Sequence, residues 1–309
     1  MMIHTVCPID GSDADDVEVY PANFDLSLVN SDTFSARRLP DGVHYRMVRN
    51  TKTGCLRADP IFDDETILKL YGGSAVTYGN TASFTADTYF EYLGRALHRL
   101  PDRRGVLEIG CGHGFFLERF LDMGFNVVCG VEPSSDAVAR ASPSVRSRIL
   151  EGPFVRGLFE PETFSLACGF QVLDHLVHPN DVLRACREVL APGGVMYWIC
   201  HDVGSFYARL LGRRCPMIDI QHVVLYDRRT VSMLFLNNGF EVADVFGVSN
   251  RYPLSYWAGL TPVPDAPKKA LLTFLDKTRL GRLPLRANFG NMGIVAVRPR
   301  PSAAALGMS

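Results

Sequence analysis

Apolar residues in the middle of this chain fall into short runs, not alternating positions. Residues 106–109 (broken only by Glu108), 127–131, 163–170 and 195–200 are such runs, bounded by glycine or polar turn residues, and Arg148-Ile149-Leu150-Glu151 supplies a shorter strand between them. Continuous runs of this length mark parallel strands buried on both faces. The segments between them carry helical spacing instead. Tyr89, Leu93, Leu97 and Leu100 form one stripe over residues 85–100, closed by Pro101, and a second starts at Phe115. A third covers 181–190, with Asn180 as N-cap and Ala191-Pro192-Gly193-Gly194 as its stop. A fourth runs from Asp227 to Asn237 before Gly239, and residues 240–246 and 291–297 supply two further strands. Alternating strands and helices predict an α/β fold with a doubly wound, mainly parallel sheet.

The first run leads into Gly110-Cys111-Gly112-His113-Gly114. Glycines at this spacing let the backbone turn sharply and lie against a ligand without Cβ interference, ahead of a helix. Glu108 precedes the first glycine. Glu132 ends the next run, 22 residues after Gly110, where a carboxylate accepts hydrogen bonds from both hydroxyls of a ribose. Together these residues make a nucleoside-binding half-site.

The loop resembles the first motif, acidic-x-Gly-x-Gly-x-Gly, of class I S-adenosylmethionine-dependent methyltransferases. NAD-type loops place two residues before the third glycine, and this chain does not. Gln171-Val172-Leu173-Asp174-His175, a helix, then Leu190-Ala191-Pro192-Gly193-Gly194 and a strand are similar to the family's Leu-Glu-His and Leu-Lys-Pro-Gly-Gly blocks. The resemblance covers residues 85–300 and implies a Rossmann-like, seven-stranded sheet whose last strand inserts antiparallel between strands five and six. It implies S-adenosyl-L-methionine as cofactor and S-adenosyl-L-homocysteine as product. Gly110, Gly112 and Gly114 would form the cofactor loop, with Glu132 on the ribose and Phe170 and Gln171 beside the methionine end. Phe154 is a candidate to lie against adenine, or else a core aromatic.

Residues 1–84 stand apart from this core. Cys7-Pro8-Ile9-Asp10-Gly11-Ser12 is similar to the opening of a small zinc ribbon, Cys-x-x-Cys-Gly-Ser, found in bacterial relatives. The matching positions of the four-ligand set are Cys7, Asp10, Asn50 and Thr53, so the ribbon is degenerate and no metal is expected. Residues 70–78 resemble a lid segment, Leu-Tyr-x-x-Ser-x-Phe-x-Tyr, which makes Tyr78 a cofactor contact or an ordinary packing aromatic. Two cap insertions are expected at about 203–226 and 248–286, and a disordered tail at 301–309.

Ligands of open α/β sheets bind at the carboxyl ends of the strands, here Glu108-Gly110, Glu132, Gly152-Pro153-Phe154, Phe170-Gln171 and His201-Asp202. Methyl transfer to oxygen or carbon also removes a proton, so a general base helps. His222, in a segment that resembles the family's Glu-His-x-x-x-Phe-Ser, ranks first as that catalytic base, its other reading being a loop anchor. His175 ranks second. Gln171-x-x-Asp174-His175 is similar to a cation-binding Glu-x-x-Glu-His, but Gln171 replaces the first carboxylate. Residues 249–257 resemble a cap over the acceptor, with Tyr252, Tyr256 and Trp257 as apolar walls and Arg251 as an anion contact. Alternatively these aromatics pack the cap to the core.

Composition narrows the partners. The chain of 309 residues is 47% hydrophobic and 21% charged, with a formal net charge of −1. That balance gives no global electrostatic case for nucleic acid or an anionic membrane. No apolar run approaches the ~20 residues of a membrane span. The start, Met1-Met2-Ile3-His4, shows no secretory signal, and Cys129, Cys168, Cys186 and Cys200 fall on predicted core elements. The expectation is a cytoplasmic methyltransferase of a small-molecule acceptor, O-methylation ahead of C-methylation. A cofactor-binding scaffold without turnover and an NAD-linked oxidoreductase are the rival classes.

Overall fold

The computed structural model describes residues 1–25, 29, 34, 42–72, 82–259, 261 and 263–301. Tyr78, most of the expected lid segment and the tail beyond residue 301 lie outside the described residues. The N-terminal segment supplies β1 (Met2–Ile3), β2 (Asp16–Tyr20), β3 (Met47–Asn50), β4 (Leu56–Ala58), β5 (Ile61–Phe62) and α1 (Asp64–Gly72). Then come α2 (Ala82–Leu97), β6 (Gly105–Ile109), α3 (Phe115–Leu121), β7 (Val127–Glu132), α4 (Ser135–Ala139), α5 (Pro143–Arg146) and β8 (Ile149–Glu151). The second half contains β9 (Phe164–Phe170), α6 (Pro179–Val189), β10 (Leu190–His201), α7 (Phe206–Leu211), β11 (Val224–Leu225) and α8 (Arg228–Asn237). β12 (Glu241–Pro253), α9 (Leu254–Gly259), α10 (Asp265–Lys277) and β13 (Pro284–Val297) complete it.

Seven strands form the central sheet in the order β12-β13-β10-β9-β6-β7-β8. β13 lies antiparallel between β10 and β12, while β10, β9, β6, β7 and β8 are mutually parallel. The apolar runs of β6, β9 and β10 are explained by burial on both sides, whereas the edge strand β8 buries only Ile149 and leaves Leu150 and Glu151 exposed. Leu107, Ala167 and Trp198 pack beneath α6 and α8, with Leu183, Leu234 and Phe235. Their neighbours Val106, Leu166, Cys168 and Tyr197 face the opposite way, against Tyr89 and Leu93 of α2 and Phe116 and Phe120 of α3. Period-two alternation therefore persists in direction but not in polarity.

Two boundaries differ from the sequence pattern. His178, not Asn180, is the N-cap residue of α6, and Pro179 takes the first turn. Asn180 instead donates to the Pro8 carbonyl and accepts from Asn238, tying the helix to the N-terminal segment. β12 does not end at residue 246 but continues through Pro253, paired with β13 as far as Pro284. Tyr252 thus stands on a strand, where alternation decides which side chains face inward.

The N-terminal segment forms a second sheet in the order β11-β4-β3-β2. Its β11 comes from the insertion that follows β10, so the two parts share a ladder. Arg57, which is fully buried, holds β4 to β2 through a two-pronged ion pair with Asp16. The degenerate ribbon positions still converge: Cys7 Sγ lies 3.3 Å from Thr53 Oγ1, which donates to Asn50 Oδ1. Cys7, Thr53 and Asn50 thus form a buried hydrogen-bonded cluster, while Asp10 accepts from the Ser12 N–H at the surface.

Gly130 shows how tightly the first crossover is packed. A methyl group there would stand 2.5 Å from Cys111 Sγ and 2.8 Å from Leu117 Cδ1. Gly130→Ala is expected to destabilise the protein by about 1–3 kcal/mol, the usual cost of overpacking. Urea denaturation against wild type measures it; equal midpoints would contradict this packing.

Candidate functional site

After β6 the chain crosses to β7 and β8 on one side, then returns to place β9 on the other. This switch opens a crevice at the carboxyl ends of β6 and β9. A cavity of about 1040 Å³ occupies it. Gly110 and Gly112 adopt left-handed φ values of 67° and 55°, and their turn is pinned to β7 by the Gly110 N–H donating to the Val131 carbonyl. A side chain on Gly110 would meet Val172 at 2.8 Å. Glu132 closes the turn. Its Oε2 accepts from the Gly112 N–H at 2.8 Å and its Oε1 from the Ser134 N–H at 2.9 Å. Each oxygen keeps a lone pair for a further donor. Burial raises the Glu132 carboxyl above its ordinary range, partly offset by those two N–H groups.

Glu108 lies beneath this turn, 1% exposed, with Oε2 lacking a protein partner. Burial, and after it the charge of Glu132, pushes its carboxyl well above the usual range. On the β9 side, Phe170 packs against Phe116, ring centroids 4.2 Å apart. Gln171 follows with φ 58°, a left-handed conformation rare for a residue with a side chain. Its Nε2 donates to Tyr89 Oη at 2.9 Å and Asn291 Oδ1 at 3.1 Å, which leaves buried Oε1 without a protein donor. The crevice therefore presents a carboxylate beside a glycine turn and unmatched buried acceptors on both flanks. That set fits the ribose hydroxyls and the ammonium group of a methionine-bearing nucleoside.

Farther along the same cavity, three imidazoles of the described residues meet. His222 stands 4.8 Å from His175 and 4.7 Å from His201, measured between ring centroids. His222 Nδ1 donates to the Met217 carbonyl at 2.8 Å, and His175 Nδ1 lies 2.7 Å from Tyr71 Oη. Burial lowers His175 to about 4 and holds His222 well below the ordinary imidazole range, with the neighbouring rings adding to the depression. His201 Nδ1 instead meets Asp174 Oδ2 at 2.9 Å. No group of side chains placed to hold a metal ion occurs among the described residues. Tyr252, Tyr256 and Trp257 line the far wall with Tyr207 and Phe289.

A family model described as a methyltransferase domain matches residues 82–245. The chain belongs to the methyltransferase-domain family. It is 27% identical over 162 residues to a ubiquinone biosynthesis O-methyltransferase of Rhizobium johnstonii, covering 48% of this chain and 64% of that one. A protein of the same name from Nitrobacter winogradskyi is 31% identical over 170 residues, covering 52% and 64%. One from a Bradyrhizobium species is 31% identical over 111 residues, covering 35% and 43%. The match thus spans between about two fifths and two thirds of the length of these curated relatives. A chain from the complex of a Haloferax volcanii methyltransferase with its activator superposes with TM-score 0.51 at 19% identity, covering 71% of this chain and 93% of that one. The fold is the Rossmann-like one of class I methyltransferases.

In this methyltransferase-family chain the cavity gathers Glu108, Gly110, Gly112, Glu132, Phe154, Phe170, Gln171, His175, His222, Tyr252, Tyr256 and Trp257. Phe154 serves both readings, lining the cavity while belonging to the core. Two expected contacts fall elsewhere. Gly114 lies behind the turn as the N-cap residue of α3, packed against Val145 and Ile149. Arg251 is exposed, because strand alternation on β12 turns Tyr252 inward and Arg251 out. The sequence assigns Tyr89 and Asn291 no site role, His201 only a place at a strand's carboxyl end, and Asp174 only a place in a cation-like pattern. For His201 a signal existed in its position at the end of an apolar run; Asn291, Tyr89 and Asp174 gain their roles through contacts remote in sequence.

A pH prediction follows from Glu108. A carboxyl raised by folding binds its proton in the native state where the unfolded chain has released it. Stability therefore falls as pH rises from the unfolded value near 4.5 toward the folded one. Glu108→Gln removes that dependence. Its stability relative to wild type should improve by roughly 1–3 kcal/mol between about pH 4 and pH 7.5. Urea titrations at both pH values measure the difference, and an unchanged offset would mean that the carboxyl is ionised in the fold.

Proposed function

We propose that this chain is an S-adenosylmethionine-dependent methyltransferase acting on a hydroxyl of a small aromatic acceptor, in the cytoplasm. One observation carries the reading: a nucleoside-shaped turn and an imidazole cluster face a single cavity walled by aromatics. Membership of the methyltransferase-domain family supports the reaction class, and the names of the curated relatives support oxygen as the methylated atom. Free cysteines at all eight positions agree with a reducing compartment. No helix among the described residues is long and apolar enough to cross a membrane.

Glu132 would hold the ribose hydroxyls, the Gly110–Gly112 turn would pass close to the ribose, and Glu108 and Gln171 would receive the methionine ammonium. Phe154 would lie beside the base. Bound S-adenosylmethionine supplies a methyl group already activated by its sulfonium. The protein's work is then to fix the acceptor oxygen in attacking geometry and to exclude water. Tyr252, Tyr256 and Trp257 form the wall against which an aromatic ring would stack, their own rings 4.3–5.7 Å apart. The imidazoles beyond provide a place for the acceptor's proton. Between the two histidines ranked from sequence, His222 offers a bare Nε2, and His175 is committed at Nδ1 to Tyr71.

Calorimetry with S-adenosylhomocysteine against NAD tests the cofactor class directly. Glu132→Ala should weaken S-adenosylhomocysteine binding at least tenfold, a loss of about 1.5–3 kcal/mol for charge-assisted hydrogen bonds. Affinity equal to wild type would remove Glu132 from the ribose site. Labelled-methyl transfer to a panel of phenols and catechols then tests the acceptor class, and a protein that binds the nucleoside without transferring methyl to any would be a scaffold.

A further inference from the structure

Three clustered imidazoles raise the question of which one receives the proton, and their partners differ. His222 donates Nδ1–H to a neutral carbonyl, that of Met217, and is flanked by two other rings. A proton added to it would create a buried cation with no carboxylate in contact. His175 is also buried, its Nδ1 engaged with the Tyr71 hydroxyl, and although the Asp174 charge favours its protonated form, burial outweighs that and no carboxylate oxygen is hydrogen-bonded to its ring. His201 alone of the cluster touches a carboxylate. Asp174 is 0% exposed, and its Oδ2 accepts from both the ring Nδ1 at 2.9 Å and the backbone N–H at 3.1 Å of His201.

That double contact has two consequences. A neutral imidazole facing a carboxylate through Nδ1 carries its hydrogen there, so Nε2 bears the lone pair. Protonation of Nε2 then completes an ion pair with Asp174 and leaves no isolated charge. Asp174 Oδ1 has no donor from the protein, so no other cationic or N–H partner competes for that carboxylate. The ring is 21% exposed and borders the cavity, so it is open to a ligand. Nearby charged groups do not neutralise it: Asp202, the next residue, faces Arg228.

We propose that His201 is the catalytic base, with Asp174 as its positioning residue, and that His222 acts as a neutral hydrogen-bond acceptor beside it. The O–H bond of the acceptor breaks, its proton bonds to His201 Nε2, and the electron pair stays on oxygen as the nucleophile. Asp174 keeps the ring in the productive tautomer and balances the imidazolium, the same logic as a hydrolase Asp-His pair. The inference rests on the acceptor being a hydroxyl compound, as proposed above.

The test uses 4-nitrocatechol, whose visible spectrum changes on ionisation, bound to the full chain with S-adenosylhomocysteine. At a pH below its own ionisation in water, wild type and His222→Asn should show the catecholate band, while His201→Asn and Asp174→Asn bind the neutral catechol. Turnover of the same compound should fall about 100-fold or more in His201→Ala, the usual worth of a general base, and recover in part with added imidazole. In Asp174→Asn, kcat should fall while KM and S-adenosylhomocysteine affinity stay within about threefold, a pattern of lost transition-state assistance. A catecholate band that survives His201→Asn, or vanishes in His222→Asn alone, would overturn the assignment. Failure of wild type to bind the catechol would sink the hydroxyl-acceptor reading and this inference with it. Loss of S-adenosylhomocysteine binding in wild type would instead strike at the cofactor.

Discussion

Two neighbouring parallel strands that leave the sheet in opposite directions create the space on which everything else depends. β6 and β9 pair directly, from Val106 with Leu166 to Ile109 with Gly169, and their exits diverge immediately afterwards. Backbone polar groups at those exits cannot remain unpaired in a packed interior, so the turns must be held by specific partners. Glu132 does this for the glycine turn, through N–H groups of Gly112 and Ser134. Gln171 does it on the other side, at the cost of a left-handed backbone, by reaching Tyr89 and Asn291. Both residues are thus structural clamps and candidate ligand contacts at once. A mutation at either site perturbs the shape of the crevice as well as its chemistry.

The second constraint is the fully buried carboxylate of Asp174. It ties the short turn after β9 to the last residue of β10 through His201. Its own backbone carbonyl accepts from the Val223 N–H, immediately ahead of β11. β11 in turn completes the N-terminal sheet by pairing with β4. The N-terminal segment therefore fixes the loop that carries His222. Arg57 and Asp16 hold that sheet from within. A buried pair of this kind specifies an arrangement more than it adds stability, and removing one partner leaves an uncompensated charge.

Much of this was legible in the residue pattern. Continuous apolar runs separated by helical stripes identified a sheet covered on both faces, and the observed core clusters follow that division. The spacing of Gly110, Gly112 and Glu132 predicts a tight turn beside a carboxylate one strand away, and the structure places them so. The aromatic wall is visible as a cluster after residue 248, with Arg251 among it exposed where Tyr252 is buried. The resemblance implies a cap there, and its first part, through Pro253, is a continuation of β12, where adjacent residues face opposite sides. Gly114 was counted with the binding loop because spacing cannot distinguish a glycine that meets a ligand from one that admits Val145.

The sequence by itself determined which residues are apolar, where the backbone needs glycine, and hence the alternation of strands and helices and the position of the glycine turn. These are short-range properties, set by side-chain volume, polarity and φ within a few residues. Only the tertiary structure decided which histidine meets a carboxylate. Asp174 and His201 are separated by a helix and a strand, and His222 reaches them through a ladder formed with residues near the other end of the chain. Basicity depends on what lies within a few ångströms of a ring, and that neighbourhood comes into being when the strands assemble.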